Sequence, residues 1–228
     1  DGNSVARDAV VDGMRIDVWS DVVCPWCYLG KRRLDDALAG LDGVDDIEVR
    51  WRAFQLDPSA STDPGPLRPV IDAKYGPGAF ESMSVRLSAL GDDAGIDYRW
   101  EEVQRVSSRA ALDLVAWVES TEGAEAAERL HDRLFRAYFT EGANIADPSS
   151  LVDWAVEVGV DRSVATEAVS SGAGRAAVDD DLLLAGQRGI SGVPAFVFED
   201  TWLVSGAQDV ETLRSVIAQV REQLAADA

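Results

Sequence analysis

Two cysteines, one histidine, two methionines and two lysines are all that the 228 residues contain of these types. Each scarcity excludes something. A four-coordinate zinc site takes Cys or His ligands, and Cys24, Cys27 and His131 supply three at most, so no metal is expected. Long apolar runs are missing as well, and no stretch approaches the roughly 20 apolar residues of a membrane span. Positive charge is short: 21 Lys and Arg stand against 41 Asp and Glu, a formal net charge of −20. Phosphate backbones and anionic bilayers require a basic face, so nucleic acid and membrane are excluded as expected partners. Residues 1–13 carry Arg7, Asp8 and Asp12 and lack the apolar core of a signal peptide. They read as a leader or flexible N-terminus, and the expected location is cytoplasmic.

What is present is concentrated at Cys24-Pro25-Trp26-Cys27, which holds both cysteines two residues apart after the apolar run Ile16 to Trp19. That run reads as a buried strand at about 15–20, and Tyr28 to Leu41 as a helix whose N-terminus receives Cys24. Unpaired N–H groups and the helix dipole favour an anion at that position, which marks Cys24 as a nucleophilic thiolate. Cys27 lies one turn further in, on the same edge, and fits a resolving thiol that attacks a mixed disulfide on Cys24. A purely structural disulfide is the competing reading. It gains little here, because so short a loop barely restricts the unfolded chain. In a reducing cytosol a CxxC pair is more often catalytic than structural.

A second segment points the same way. Gly189 to Pro194 leads into the apolar strand Ala195 to Phe198. Proline tolerates the cis peptide far better than other residues, and a strand-initial position spares its missing N–H. Val193-Pro194 is therefore either a cis-proline element or an ordinary trans turn.

A further strand is expected at about 46–56, where Ile47, Val49 and Trp51 alternate. A Pro- and Ser-rich loop follows from Asp57 to Pro69, and then about 120 residues read as helical. Leu130, Leu134 and Tyr138 recur at helical spacing beside Phe135 and Phe139. Asp147-Pro148 is a helix start and Gly159 a stop. Strands at about 195–199 and 202–205 form a hairpin, and Asp209 to Ala225 closes the chain as a helix.

Other candidates are individually weaker. Asp21, three residues before Cys24, reads either as a tuner or proton shuttle for the thiol or as a turn or cap residue. Trp26 lies inside the dithiol and brings no positive charge. Lys31, Arg32 and Arg33 read as a solvated helix face, or as charges that stabilise the Cys24 thiolate, His131 as a partly buried or surface position, and Asp179 to Asp181 as an acidic helix face, with metal binding the remote alternative. Trp51, Phe54, Tyr138 and Phe139 read as core, or as the wall of an apolar groove beside the dithiol.

Met14 through Lys31, Trp51 through Pro58, Leu134 through Phe139, Gly192 through Phe196 and Ser205 through Gln208, in that order, resemble the DsbA-family thioredoxin-like proteins of the FrnE type. The family is similar in fold to kappa-class glutathione transferases and 2-hydroxychromene-2-carboxylate isomerases, in which a serine takes the Cys24 position. The resemblance implies an α/β, thioredoxin-like fold with a large all-helical insertion between an N-terminal βαβ unit and a C-terminal ββα unit. Residues 14–60 and 188–228 would form the thioredoxin-like domain and 61–187 the insertion.

It further implies that a cis-Pro194 faces the dithiol and leaves Val193 backbone free to pair with an extended substrate. The turn before the last helix, with Gln208 and Asp209, would receive the γ-glutamyl end of glutathione. The implied activity is thiol-disulfide oxidoreductase chemistry, with Cys24 attacking, Cys27 resolving, and Pro25, Trp26 and Asp21 as their environment. No cofactor beyond the redox-active disulfide is implied, and glutathione is a candidate co-substrate. The expected partners are disulfide- or thiol-containing proteins or small molecules, with the chain as monomer or homodimer. The alternative is a glutathione-dependent transferase or isomerase on the same scaffold, and a third reading is a non-enzymatic binding or chaperone-like module. One departure is visible: where many relatives carry an Asn-Thr-Arg-Asp-Ala-His-like stretch, this chain has Ser107 to Leu112 without the histidine.

Overall fold

The structure, a computed structural model, describes residues 13–227. The expected leader at 1–13 lies, but for Gly13, outside the described residues. Strand β1 (Met14–Ser20), helix α1 (Pro25–Leu38) and strand β2 (Ile47–Ala53) come first. Two short strands, β3 (Gly65–Pro66) and β4 (Gln104–Arg105), pair with each other and bracket α2 (Arg68–Tyr75) and α3 (Ala79–Asp93). Then follow α4 (Arg109–Glu122), α5 (Ala124–Phe139), α6 (Pro148–Glu157), α7 (Arg162–Ser171) and α8 (Arg175–Gln187). The chain returns through β5 (Ala195–Phe198), β6 (Trp202–Ser205) and α9 (Val210–Asp227). This is a thioredoxin-like fold with helices interposed between β2 and β5.

The main sheet runs β2-β1-β5-β6, with β1 and β2 parallel and the other pairs antiparallel. Val18 sits opposite Trp51 on one side and Phe196 on the other. Period-two alternation then divides the side chains. Ile16, Val18, Phe196 and Phe198 pack with Leu34 of α1 and Leu213, Ile217 and Val220 of α9. Trp19, Ala195 and Val197 point the other way and pack with Ala185 of α8 and Ile190. Both faces of β1 are thus covered, which explains why its sequence reads as a continuous apolar run rather than an alternating one.

The helices between β2 and β5 are held by a third, larger cluster that begins at the dithiol. It runs from Cys24, Cys27 and Tyr28 through Leu112, Leu114 and Val118 of α4 to Leu130, Leu134, Phe135 and Phe139 of α5. A 16-residue helix such as α5 is marginal by itself in water, so its buried face holds it in place. Asp147 caps α6 by accepting from Ser150 N–H at 2.8 Å, and Gly159, with φ of +106°, follows its end, as the sequence indicates. Gly174, just before α8, has no room for a side chain: a Cβ there would lie 1.8 Å from the carbonyl oxygen of Asp113 in α4.

Two surface readings are corrected by the packing. Lys31 is 2% exposed and sits among Asp35, Glu128 and Asp132 at 3.0–3.5 Å, over the Trp51 ring, joining α1 to α5. Asp181 is buried, and its carboxylate accepts from Ala53 N–H at 2.9 Å and from Arg52 at 3.2 Å, tying α8 to β2. In both cases a polar side chain at a helical spacing typical of surfaces meets partners from other elements, which spacing within one helix cannot reveal.

Candidate active site

The loop after β1 sets the dithiol. Cys24 N–H donates to Asp21 C=O at 2.9 Å, and Cys24 keeps an extended backbone (φ −93°, ψ 112°) as the residue before α1. Pro25 takes the first helical position, where its missing N–H costs nothing. Cys24 C=O then accepts from Cys27 N–H at 3.0 Å and Tyr28 N–H at 3.2 Å, closing the first turn over the motif. Both cysteines are free thiols and buried. Burial pushes the Cys27 thiol well above its ordinary pKa, with Cys24 adding to the effect and the Asp21 backbone and Ser20 hydroxyl opposing it.

The loop before β5 lies beside the dithiol. The Cys24 thiol reaches Val193 C=O at 3.6 Å. The Val193-Pro194 peptide is cis, and Pro194 C=O accepts from Gly206 N–H at 2.8 Å. Gly30, in α1 three residues after Cys27, lies against this element: a Cβ on it would meet Pro194 Cγ at 3.0 Å.

Asp21 is fully buried. Burial raises its carboxyl from 3.8 to about 6, against the pull of Leu56 N–H (2.8 Å), the Ser108 side chain and Val23 N–H (3.3 Å), while Asp57 pushes in the same direction as burial. It therefore knits the loop before the dithiol to the segment after β2. Gln208 and Asp209 are engaged locally: Gln208 Nε2 donates to Ser205 C=O at 2.7 Å, and Asp209 accepts from Thr212 N–H at 2.8 Å as the cap of α9.

Several neighbours of the motif carry no sequence signal. Tyr98 donates its hydroxyl proton to Pro25 C=O at 2.7 Å, and burial raises its pKa far above the ordinary phenol range. The Arg86 guanidinium from α3 lies 5.2 Å over the Trp26 ring. Arg33 donates to Ala207 C=O at 2.8 Å, so it anchors the turn before α9 rather than facing solvent. His131, too, is buried at 2% exposure, which corrects its partly exposed reading. Tyr98 and Arg86 come from segments remote in sequence, and no local spacing announces such contacts.

A cleft of about 350 Å³ opens beside Val23, lined by Leu56, Leu67, Val70, Tyr75, Lys74 and Tyr138 among others. Of the four aromatic candidates for a groove, Tyr138 lines this cleft, Trp51 and Phe139 belong to the core, and Phe54 packs, half-buried, against the cluster of Trp19 and Val197. A second cleft of about 320 Å³ runs along Gly189 to Ala195 and Leu203 to Gly206. Among the described residues no helix is long and apolar enough to cross a membrane, and no group of three or more Cys, His, Asp or Glu side chains is placed to hold a metal.

Comparison with known proteins gives the same fold. A crystal structure of a probable DsbA oxidoreductase from Streptomyces coelicolor is 32% identical, covers 90% of this chain and 89% of its own, and superposes with a TM-score of 0.83. Two more distant structures, each 21% identical, share the fold. One is the cytosolic disulfide reductase DsbM from Pseudomonas aeruginosa, also solved with GSH, at a TM-score of 0.66 over 91% of this chain and 98% of its own. The other is a 2-hydroxychromene-2-carboxylate isomerase, at 0.67 over 94% of this chain and 99% of its own. The DSBA-like thioredoxin domain model matches residues 15–218, and the chain belongs to that family.

Proposed function

We propose that this protein is a thiol-disulfide oxidoreductase. The observation that carries the reading is the placing of the Cys24 thiol, at the start of α1, 3.6 Å from Val193 C=O with the Cys27 thiol one turn behind. The Cys24 thiolate attacks one sulfur of a substrate disulfide, and the other sulfur leaves as a thiolate. The Cys27 thiolate then attacks Cys24 Sγ, forming the Cys24–Cys27 disulfide and releasing the second substrate thiolate. The substrate is reduced by two electrons and the protein oxidised by two. The reverse sequence oxidises a substrate dithiol, and the potential of the pair sets the direction.

Val193 backbone supplies the docking edge for an extended chain, and the second cleft runs along it. Glutathione suits the site as a thiol partner, since a family neighbour is known with GSH bound. The same neighbour's cytosolic setting supports work in a reducing compartment, where a dithiol cycles between states. The isomerase neighbour gives a second reading, glutathione-dependent transfer or isomerisation at Cys24.

Cys27→Ser separates the two. With glutathione disulfide present, the variant should accumulate one glutathione on Cys24, while the unaltered protein passes through that adduct to an internal disulfide. An unaltered protein that stops at the adduct would refute the oxidoreductase reading.

A further inference from the structure

Cys27 has to lose a proton before it can attack Cys24, and at 1% exposure it has no direct route to water. Asp21 is poorly placed to help. Its carboxylate is engaged by Leu56 N–H, Val23 N–H and Ser108, and it is the Asp21 backbone that bonds Cys27. Besides Cys24, the side chain that bonds the Cys27 thiol is Ser20, the fully buried last residue of β1, and it is the one that favours the thiolate. Ser20 Oγ lies 3.4 Å from Nε2 of His131, the only histidine in the sequence.

The His131 ring is fixed by an edge contact with Trp51 and by stacking on Phe135, with centroids 4.7 Å away in each case. Its Nδ1 is buried and has no hydrogen-bond partner among the described residues. An unpartnered buried polar atom is unfavourable, so its presence calls for a reason. Beside the ring is a void of about 10 Å³, lined by Ser20, Arg52, Leu112, Val115, Ala116 and Asp181 among others. That is about the room one water needs.

Lys31 from α1 acts on the ring, Arg52 from β2 and Asp181 from α8 line the void, and Glu119 of α4 interacts with both of these, while the α4 side chains that line the void are apolar. Burial, then Lys31, holds the imidazole down to about 3. The ring is therefore neutral at working pH, with one nitrogen always able to accept.

We propose that Ser20 and His131 form the proton path of the resolving thiol, an inference that rests on the dithiol reading above. Cys27 S–H gives its proton to Ser20 Oγ as the Ser20 hydroxyl gives its own to His131 Nε2. His131 releases its Nδ1 proton to water in the adjoining void. The products are a Cys27 thiolate, an intact serine hydroxyl turned toward it, and a neutral imidazole in the other tautomer. Because His131 gives up one proton as it takes another, its low affinity for a held proton does not block the transfer. When Cys27 is the leaving group, the same path runs backwards. Ser20 touches the reacting sulfur, and His131 is a positioning residue acting through it.

The test is a quenched-flow single turnover of the reduced protein with glutathione disulfide, with adducts read by mass. His131→Gln should slow the second step, loss of glutathione from Cys24, by about 10²-fold at pH 7. The first step, measured in a Cys27→Ser background, should be unchanged within about twofold. Ser20→Ala should slow the second step to the same extent, and the double variant no further. Normal second-step rates in both variants would overturn the proposal, and so would equal slowing of both steps. An unaltered protein that forms no internal disulfide would instead refute the dithiol reading itself. A readout free of variants uses the single imidazole ¹⁵N signal set: the reduced protein at pH 7 should show Nδ1–H with Nε2 unprotonated, and an Nε2–H tautomer would overturn the path.

Discussion

Asp21 should make the protein less stable at neutral pH than in mild acid, an effect opposite to that of most carboxylates. Its carboxyl is fully buried and titrates near 6 in the folded chain, against 3.8 for the unperturbed group. Between those values the folded state holds a proton that the unfolded state has released. The stabilisation is therefore complete below 3.8 and is lost as pH rises through 6. A shift of about two units corresponds to about 3 kcal/mol, of which about 2 kcal/mol is lost between pH 4 and 7.5. Asp21→Asn removes the titration and adds a fixed penalty, because an amide serves the Leu56 and Val23 N–H groups less well than a carboxylate does. The fixed penalty cancels if urea unfolding of both proteins is followed across the pH range under reducing conditions. The variant should gain about 2 kcal/mol relative to the unaltered protein between pH 4 and 7.5. A difference that stays flat with pH would refute the placing of Asp21 as a desolvated carboxyl.

Other expectations follow from the same packing. His131, held near 3 against an ordinary 6.5, loses stability for the fold as pH falls from 6.5 toward 3, so His131→Gln should flatten that limb of the stability-pH curve. Gly30→Val should press on Pro194 and displace Val193 C=O from Cys24; the rate of disulfide exchange should drop at least several-fold while thermal unfolding moves little. Phe135→Ala, which empties a fully buried ring stacked on Tyr28 and His131, should cost about 3–5 kcal/mol in denaturant unfolding.

The thioredoxin-like frame and the dithiol were legible because their signals are local. Apolar strands, a proline one residue into a helix, a proline before a strand and two cysteines a turn apart all declare themselves within a few residues. The Asp147 cap and the amphipathic face of α5 were readable for the same reason. What was not legible depends on elements that meet only in the fold. Lys31 and Asp181 look like surface residues until carboxylates from α5 and backbone from β2 are brought against them. Arg86 and Tyr98 reach the motif from segments with no pattern of their own. His131 belongs to a helix whose periodicity marks its apolar neighbours Leu130, Leu134 and Phe135, and nothing local shows that it shares their burial or faces Ser20.

The most direct test of the central claim is the equilibrium between reduced and disulfide-bonded Cys24–Cys27 in graded glutathione buffers, read by thiol alkylation and mass. The account predicts a reversible two-electron transition to an internal disulfide, abolished in Cys24→Ser and Cys27→Ser. A protein that carries glutathione on Cys24 at every ratio, and never closes the Cys24–Cys27 bond, would contradict it.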